Sequence, residues 1–290
     1  MRIAYLLLVH ECPQQFRLLL LQLLKDPKAG VFVHVDRKSR LEEFRFESPR
    51  VTTLSRSINV KWGGISMVDA TLELLKAARR ENYDYYCLLS GRDFPLRSPV
   101  EFRQELERIY PKGLLDGASV VERWTERGLD RVKYFFWYRF KDRDMEVLQS
   151  RIARKWGKRL GVDRPFFPDM YPCCGSQWWT LSRPIVDFVF AYLKDHPGYY
   201  RFYAWSAMPD EQFFHTLLIN KMPEQIINRS QTLVQWENGF PHVFSIPDLD
   251  VLRRDRDHFF FRKYSEDDRA MFDCLKELAD ENKYFSVASE

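Results

Sequence analysis

The sequence predicts an α/β protein with a Rossmann-type, mainly parallel sheet and helices on both faces. Two observations predict it. Through the first hundred residues, short aliphatic or β-branched runs alternate with segments of helical length and spacing, the order that a parallel sheet with crossover helices requires. Each apolar run also stops at polar residues, and in such sheets ligands sit beyond the carboxyl ends of the strands.

The elements follow in order. "IAYLLLVH" (3–10) and "GVFVHVD" (30–36) read as strands, with the helical "PQQFRLLLLQLLK" (13–25) between them as a β-α-β unit. "VTTLS" (51–55) is a third strand and "YDYYCLLS" (83–90) a fourth. Between these two, "SMVDATLELLKAARRE" (66–81) places apolar residues at three- and four-residue spacing, the stripe of a helix lying on a sheet. The residues that end these strands are His10-Glu11, His34-Val35-Asp36, Ser55-Arg56 and Ser90-Gly91-Arg92-Asp93.

The middle is less regular, with a strand-like "GASVVERW" (117–124), an aromatic "VKYFFWYRF" (132–140) and a basic helix "MEVLQSRIARKWGKRL" (145–160). "GSQWWTLS" (175–182) reads as a strand, and "PIVDFVFAYLKDH" (184–196) as a helix opened by Pro184. The tail holds a short strand at "HFFF" and a last helix capped by Ser265, with Asp268 three residues on. A chain of 290 residues with no repeat or linker is read as one domain, residues 1–290, with an N-terminal half to 110 and a C-terminal half from 111.

Composition narrows the classes. Hydrophobic residues make up 45% and aromatics 16%, so the chain has a core to bury. Net charge is only +4, and bases interleave with acids, as in "RRENYDYY", which argues against a nucleic-acid partner. No stretch reaches the apolar length of a membrane span, and "MRIAYLLLVHECPQQF" lacks a cleavage site, so association with a membrane is expected to be peripheral at most. Five cysteines, Cys12, Cys87, Cys173, Cys174 and Cys274, are an odd number without metal-ligand spacing, which fits a reducing cytoplasm. There the Asn228-Arg229-Ser230 sequon carries no sugar.

Four constellations carry candidate chemistry, and each has a structural alternative. Asp210 and Glu211 follow Pro209, where first-turn carboxylates stabilise a helix by about 0.3–1 kcal/mol, so punctuation and chemistry account for them equally well. Arg262 and Lys263 after "HFFF" are either the exposed end of a strand or a clamp for a diphosphate. "LSGRDFPL" is either a capped loop or a ligand cradle at a strand end. Asp-x-Asp triplets at 142–144, 248–250 and 255–257 do not end core strands, so no metal site is expected. There is no GxGxxG, no P-loop and no HExxH.

Taken together, "AYLLLVHECPQQFRLLLLQL", "VFVHVDRKS", "VKWGGISMVDATLELL", "DYYCLLSGRDFPLRSPVEF", "GSQWWTLSR", "MPDEQFFHTLLIN" and "HFFFRKYS" resemble, in order and spacing, the core-2/I-branching β-1,6-N-acetylglucosaminyltransferase family, which also holds the peptide xylosyltransferases. The resemblance implies a GT-A-like fold and inverting, metal-independent transfer of GlcNAc or xylose from a UDP-sugar to a glycan or lipid-linked oligosaccharide, with no cofactor. It implies Glu211 as the catalytic base, Asp36 as a uridine contact, and Arg262 and Lys263 as the diphosphate clamp. Trp62, Gly63 and Gly64 of "WGG" and Ser90, Gly91, Arg92 and Asp93 of "SGRD" would line the donor pocket. Asp210, Ser176, Gln177 and Trp178 would lie near the sugars, and Glu122 with Arg131 at the acceptor. The N-terminal half would then bind the nucleotide and the C-terminal half the acceptor.

The family often carries a further arginine before the clamp. Here those stretches read "HVFS" and "TLVQW", so that diphosphate binding either rests on fewer cations or is shared with Arg229 or Arg253. A cytoplasmic enzyme of bacterial type, acting at the inner face of a membrane, fits this picture. The alternative is a member of the same fold that binds a nucleotide-sugar or glycan without turnover.

Overall fold

The computed structural model describes residues 1–138, 148–237, 240–280 and 284–285. Two compact units emerge, one of Met1–Ser57, Leu74–Tyr110 and Ser230–Glu290, the other of Ile58–Glu73 and Pro111–Arg229. The mainly parallel α/β sheet expected from the alternating runs is present.

In the first unit, β1 (Ile3–Val9), β2 (Ala29–Val35), β3 (Val51–Thr53) and β4 (Tyr85–Ser90) lie in the order β3-β2-β1-β4, all parallel. Every residue of β1, β2 and β4 is buried, which is why these segments are continuous apolar runs. In the register, Leu8 stands opposite both His34 and Ser90, so the three strands end level. Backbone bonds then fold the loops over those ends, with Asp36 N–H donating to Val9 O at 2.8 Å and Gly91 N–H to Leu8 O at 3.1 Å.

Helices α1 (Pro13–Leu23) and α2 (Ser66–Ala78) begin near the residues where the sequence starts them. Helix α3 (Pro99–Ile109) opens with a capping box, in which Ser98 Oγ accepts from Glu101 N–H and Glu101 accepts from Ser98 N–H. A small sheet of Thr232–Leu233, Phe260–Phe261 and Phe94–Pro95 sits over an apolar cluster that includes Leu18, Tyr264, Met271 and Leu275. The last helix, Arg269–Asp280, is capped by Asp268, whose Oδ1 accepts Met271 N–H; Ser265 instead closes a turn onto Asp267 N–H.

In the second unit, Gly113–Leu114 pairs in parallel with Ile226–Ile227 and antiparallel with Thr180–Ser182. The strand expected across "GASVVERW" stops at Ser119. Ser119 and Glu122 exchange side-chain to backbone hydrogen bonds at 3.2 and 3.1 Å, a capping box that starts the helix Val120–Gly128 despite its two valines. "GSQWWTLS" likewise is not one strand. Cys173–Gly175 pairs with Gly117–Ser119, Ser176 Oγ then caps a turn by accepting Trp178 N–H, and a separate strand resumes at Thr180. Among the described residues, the five cysteines are free thiols. No helix among them is long and apolar enough to cross a membrane.

Candidate functional site

In the second unit, Pro209–Glu211 forms a separate 3-10 turn ahead of the helix Phe213–Lys221, so Asp210 and Glu211 precede that helix rather than open it. The turn is fixed from several sides. Gln212 is fully buried and donates to the carbonyls of Ala207 and Met208 at 2.7 and 3.1 Å. Ala207 N–H donates to Arg131 O, and Met208 N–H donates to Gly63 O at 2.9 Å. Gly63 adopts φ 76°, a left-handed value that favours glycine, and a Cβ on Gly64 would stand 2.5 Å from Tyr138 O. The Trp62-Gly63-Gly64 segment thus abuts the loop leading to Glu211, with the Trp62 side chain exposed.

Arg131 Nη1 donates to Glu211 Oε2 at 2.9 Å, and its guanidinium carbon lies 3.7 Å from the centre of the Trp124 ring. Both partners keep 27% of their side chains exposed, so the carboxylate is oriented yet reachable. Asp210 is buried. Burial raises its pKa, and the neighbouring Glu211 charge pushes in the same direction.

Around this pair, Arg123 makes two bonds to Asp116, at 2.9 and 2.7 Å, and Asp116 O accepts Ser176 N–H at 3.1 Å. His215, one turn beyond Glu211, is fully buried, and burial lowers its pKa to about 4, so the ring is neutral. Gln177 and Trp178 are half-buried beside Ser176. Glu122 is exposed and serves in the capping box described above.

The first unit gathers a second set at the strand ends. Asp36, nearly buried, accepts Lys38 N–H at 2.9 Å. Asp93 is fully buried; its Oδ2 accepts Ser90 N–H at 2.8 Å and its Oδ1 lies 3.5 Å from Arg262 Nε. A Cβ on Gly91 would approach Val9 Cγ1 to 2.7 Å, so only glycine lets this loop close over β1. Arg92 donates to Glu11 at 2.7 Å and to Tyr264 O at 3.2 Å. Lys263 is half-buried, and its pKa is lowered by burial and then by the charges of Arg92 and Arg262. Three cations, Arg92, Arg262 and Lys263, therefore lie at this edge with three carboxylates, Glu11, Asp36 and Asp93, and the two arginines already have acidic partners.

The sequence marked Glu11 as a strand-end residue without giving it a role, put Arg92 in the donor pocket only through the resemblance of "SGRD", and gave no sign of Trp124, Asp116 or Arg123. The signal for Arg92 was its place in the loop closing β4; for Trp124 there was none short of its partner. Arg253 pairs with Asp250 on the exposed helix Leu249–Arg254, and Arg229 lies in the second unit. Of the Asp-x-Asp triplets, 142–144 lies outside the described residues. Asp248 is engaged with Ser245 and His242, and Asp255 with His258. Among the described residues, no three His, Cys, Asp or Glu side chains are grouped as metal ligands would be.

Comparison with known proteins places these residues in a family. The Core-2/I-Branching enzyme family model matches residues 3–252. A xylosyltransferase of Ciona intestinalis is 26% identical, the match covering 91% of this chain and 32% of that protein. Xylosyltransferase 2 of Rattus norvegicus is 26% identical over 81% of this chain and 26% of its own length. The chain thus spans about a third or less of the length of these curated relatives. The crystal structure of mouse xyloside xylosyltransferase 1, apo form, overlaps 89% of this chain and 97% of that one, at 13% identity and a TM-score of 0.39. With the family model covering most of the sequence, from the first strand to the helix before the basic pair, the chain belongs to the Core-2/I-Branching enzyme family.

Proposed function

We propose that the protein is a glycosyltransferase that moves a sugar, GlcNAc or xylose, from a UDP-sugar to a glycan hydroxyl with inversion and without a metal. Glu211 is the base: it removes the acceptor hydroxyl proton as that oxygen attacks the anomeric carbon opposite the departing UDP. Arg262 and Lys263 meet the charge that develops on the leaving diphosphate, the task a divalent ion performs elsewhere.

The observation that carries this reading is the Glu211 carboxylate itself, about a quarter exposed on a braced turn and oriented by Arg131 at 2.9 Å. A general base needs that combination of fixed direction and access to substrate. Asp36, Ser90, Gly91 and Asp93 at the strand ends serve the nucleotide, and Ser176, Gln177 and Trp178 the sugars. The acceptor is a glycan or a lipid-linked oligosaccharide.

The test is UDP release from UDP-GlcNAc and UDP-xylose in EDTA, comparing the wild type with Glu211→Gln. Turnover by the wild type, lost by about 10²–10⁴-fold in the variant, is the expected result. UDP binding without release by either protein, across a panel of acceptors, supports a binding protein instead. A strict need for added Mn²⁺ removes the metal-independent part of the reading.

A further inference from the structure

The helix Leu148–Leu160 carries five lysines or arginines and no acid. Its attachment to the second unit uses one face. Ser150 is fully buried and accepts Trp137 N–H at 2.9 Å. Gly157, seven residues on and therefore on the same side, lies so close to Tyr134 that a Cβ would stand 2.7 Å from its ring. Lys158 pairs with Asp130 near that edge.

The side turned away from these contacts carries Ile152 with Lys155 and Arg159, and an apolar row runs from it along one flank. Ile152, Trp156 and Leu160 recur at four-residue spacing, and they are 46%, 53% and 66% exposed. Gly161 then takes a left-handed φ of 63° and Val162 N–H returns to Gly157 O, leaving Val162 exposed as well. Lys155 and Arg159 are exposed among these residues, with the Arg159 guanidinium 5.9 Å from the Trp156 ring.

We infer that this helix is an interfacial anchor that lays Ile152, Trp156, Leu160 and Val162 into the surface of an anionic lipid bilayer. The charge pattern selects the partner. A protein groove would satisfy the apolar stripe alone, whereas cations directly flanking exposed aliphatic and indole groups, with no acid on the helix, match phosphate headgroups above acyl chains. Trp156 is suited to that boundary because its ring is apolar and its N–H polar, and the Lys155 and Arg159 stems can extend to the headgroups. The inference does not depend on the catalytic reading, since it concerns where the protein works.

The experiment is flotation of the full chain with phosphatidylcholine vesicles, with and without phosphatidylglycerol, at low and high salt. The wild type is expected to float with the anionic vesicles only and to be released by salt. Trp156→Glu is expected to abolish flotation, and the double variant Lys155→Ala/Arg159→Ala to lower the partition coefficient by about fivefold for each cation removed. Circular dichroism and melting temperature, expected to match the wild type at these exposed sites, show that the variants are folded. Equal binding to neutral vesicles, no binding, or a Trp156→Glu protein that floats like the wild type overturns the inference. So does preferential binding of a labelled DNA duplex, or a dimer in solution that Trp156→Glu dissolves.

Discussion

Arg131 and Glu211 lie 80 positions apart in the chain and meet at 2.9 Å, with the Trp124 ring stacked against the arginine. The carboxylate's direction is therefore set by a residue that is itself held by an aromatic face. Removing that face with Trp124→Ala takes away a cation–π contact worth about 1 kcal/mol and frees the guanidinium. We expect kcat to fall by about fivefold or more with the Michaelis constant for the donor unchanged. Steady-state kinetics checks this; a variant with wild-type kcat shows that Arg131 does not need the stack to orient Glu211.

Burial lowers the Lys263 pKa, and the neighbouring charges of Arg92 and Arg262 lower it further. An arriving diphosphate relieves that repulsion. Lys263→Ala should weaken UDP binding by about 10–100-fold, the worth of one charge-assisted hydrogen bond, while leaving uridine binding nearly unchanged. Calorimetry with both ligands separates the outcomes, and equal losses for the two contradict the clamp.

Gly175 has no room for a side chain. A Cβ there would lie 1.8 Å from Asp116 O and 2.8 Å from His215 Cδ2, and the first of these is backbone in a neighbouring segment that cannot rotate away. Gly175→Ala should destabilise the protein by about 1–3 kcal/mol and disturb the Asp116–Arg123 pair beside it. Denaturant unfolding reads the loss directly. A neutral substitution would mean that the pairing of Cys173–Gly175 with Gly117–Ser119 is looser than described.

The first hundred residues were legible because each buried strand announces itself as an apolar run and each helix as a stripe; β1, α1, β2 and β4 fall close to where those patterns place them. Legibility failed where a short polar signal competes with β-branched residues. In "GASVVERW" the two valines suggest a strand, yet Ser119 and Glu122 satisfy backbone N–H groups at a helix start, and that local gain wins. At the last helix two neighbouring polar residues could cap, and Asp268 rather than Ser265 accepts the N–H three residues on, from Met271. Asp210 and Glu211 were visible as candidates, but their turn and their partner were not. The Arg131 contact comes from tertiary folding, and no periodicity or motif spacing encodes a pair so distant in sequence. Arg92 and Glu11 meet for the same reason, each visible as a strand end and neither as the other's partner.

Asp93 gives a pH prediction for stability. Burial pushes its pKa up to about 6, against the opposing pull of the Arg262 charge and of the bond from Ser90 N–H. In the unfolded chain the same group ionises near 4. Between about pH 4 and 6 the unfolded chain has released this proton while the folded protein retains it, so the contribution of Asp93 to stability is greatest below that window and falls as pH rises through it. Other carboxylates, such as Glu11 and Asp116, are shifted downward and give the opposite slope, so the wild-type curve alone does not isolate the effect. The difference between Asp93→Asn and the wild type does. The change of side chain adds an offset of its own, and on top of it the variant should gain on the wild type by up to a few kcal/mol from pH 4 to 6, then run parallel to it above. Urea unfolding at half-unit pH steps measures that difference; a constant gap across the window would show that Asp93 is ionised throughout and that Arg262 outweighs its burial.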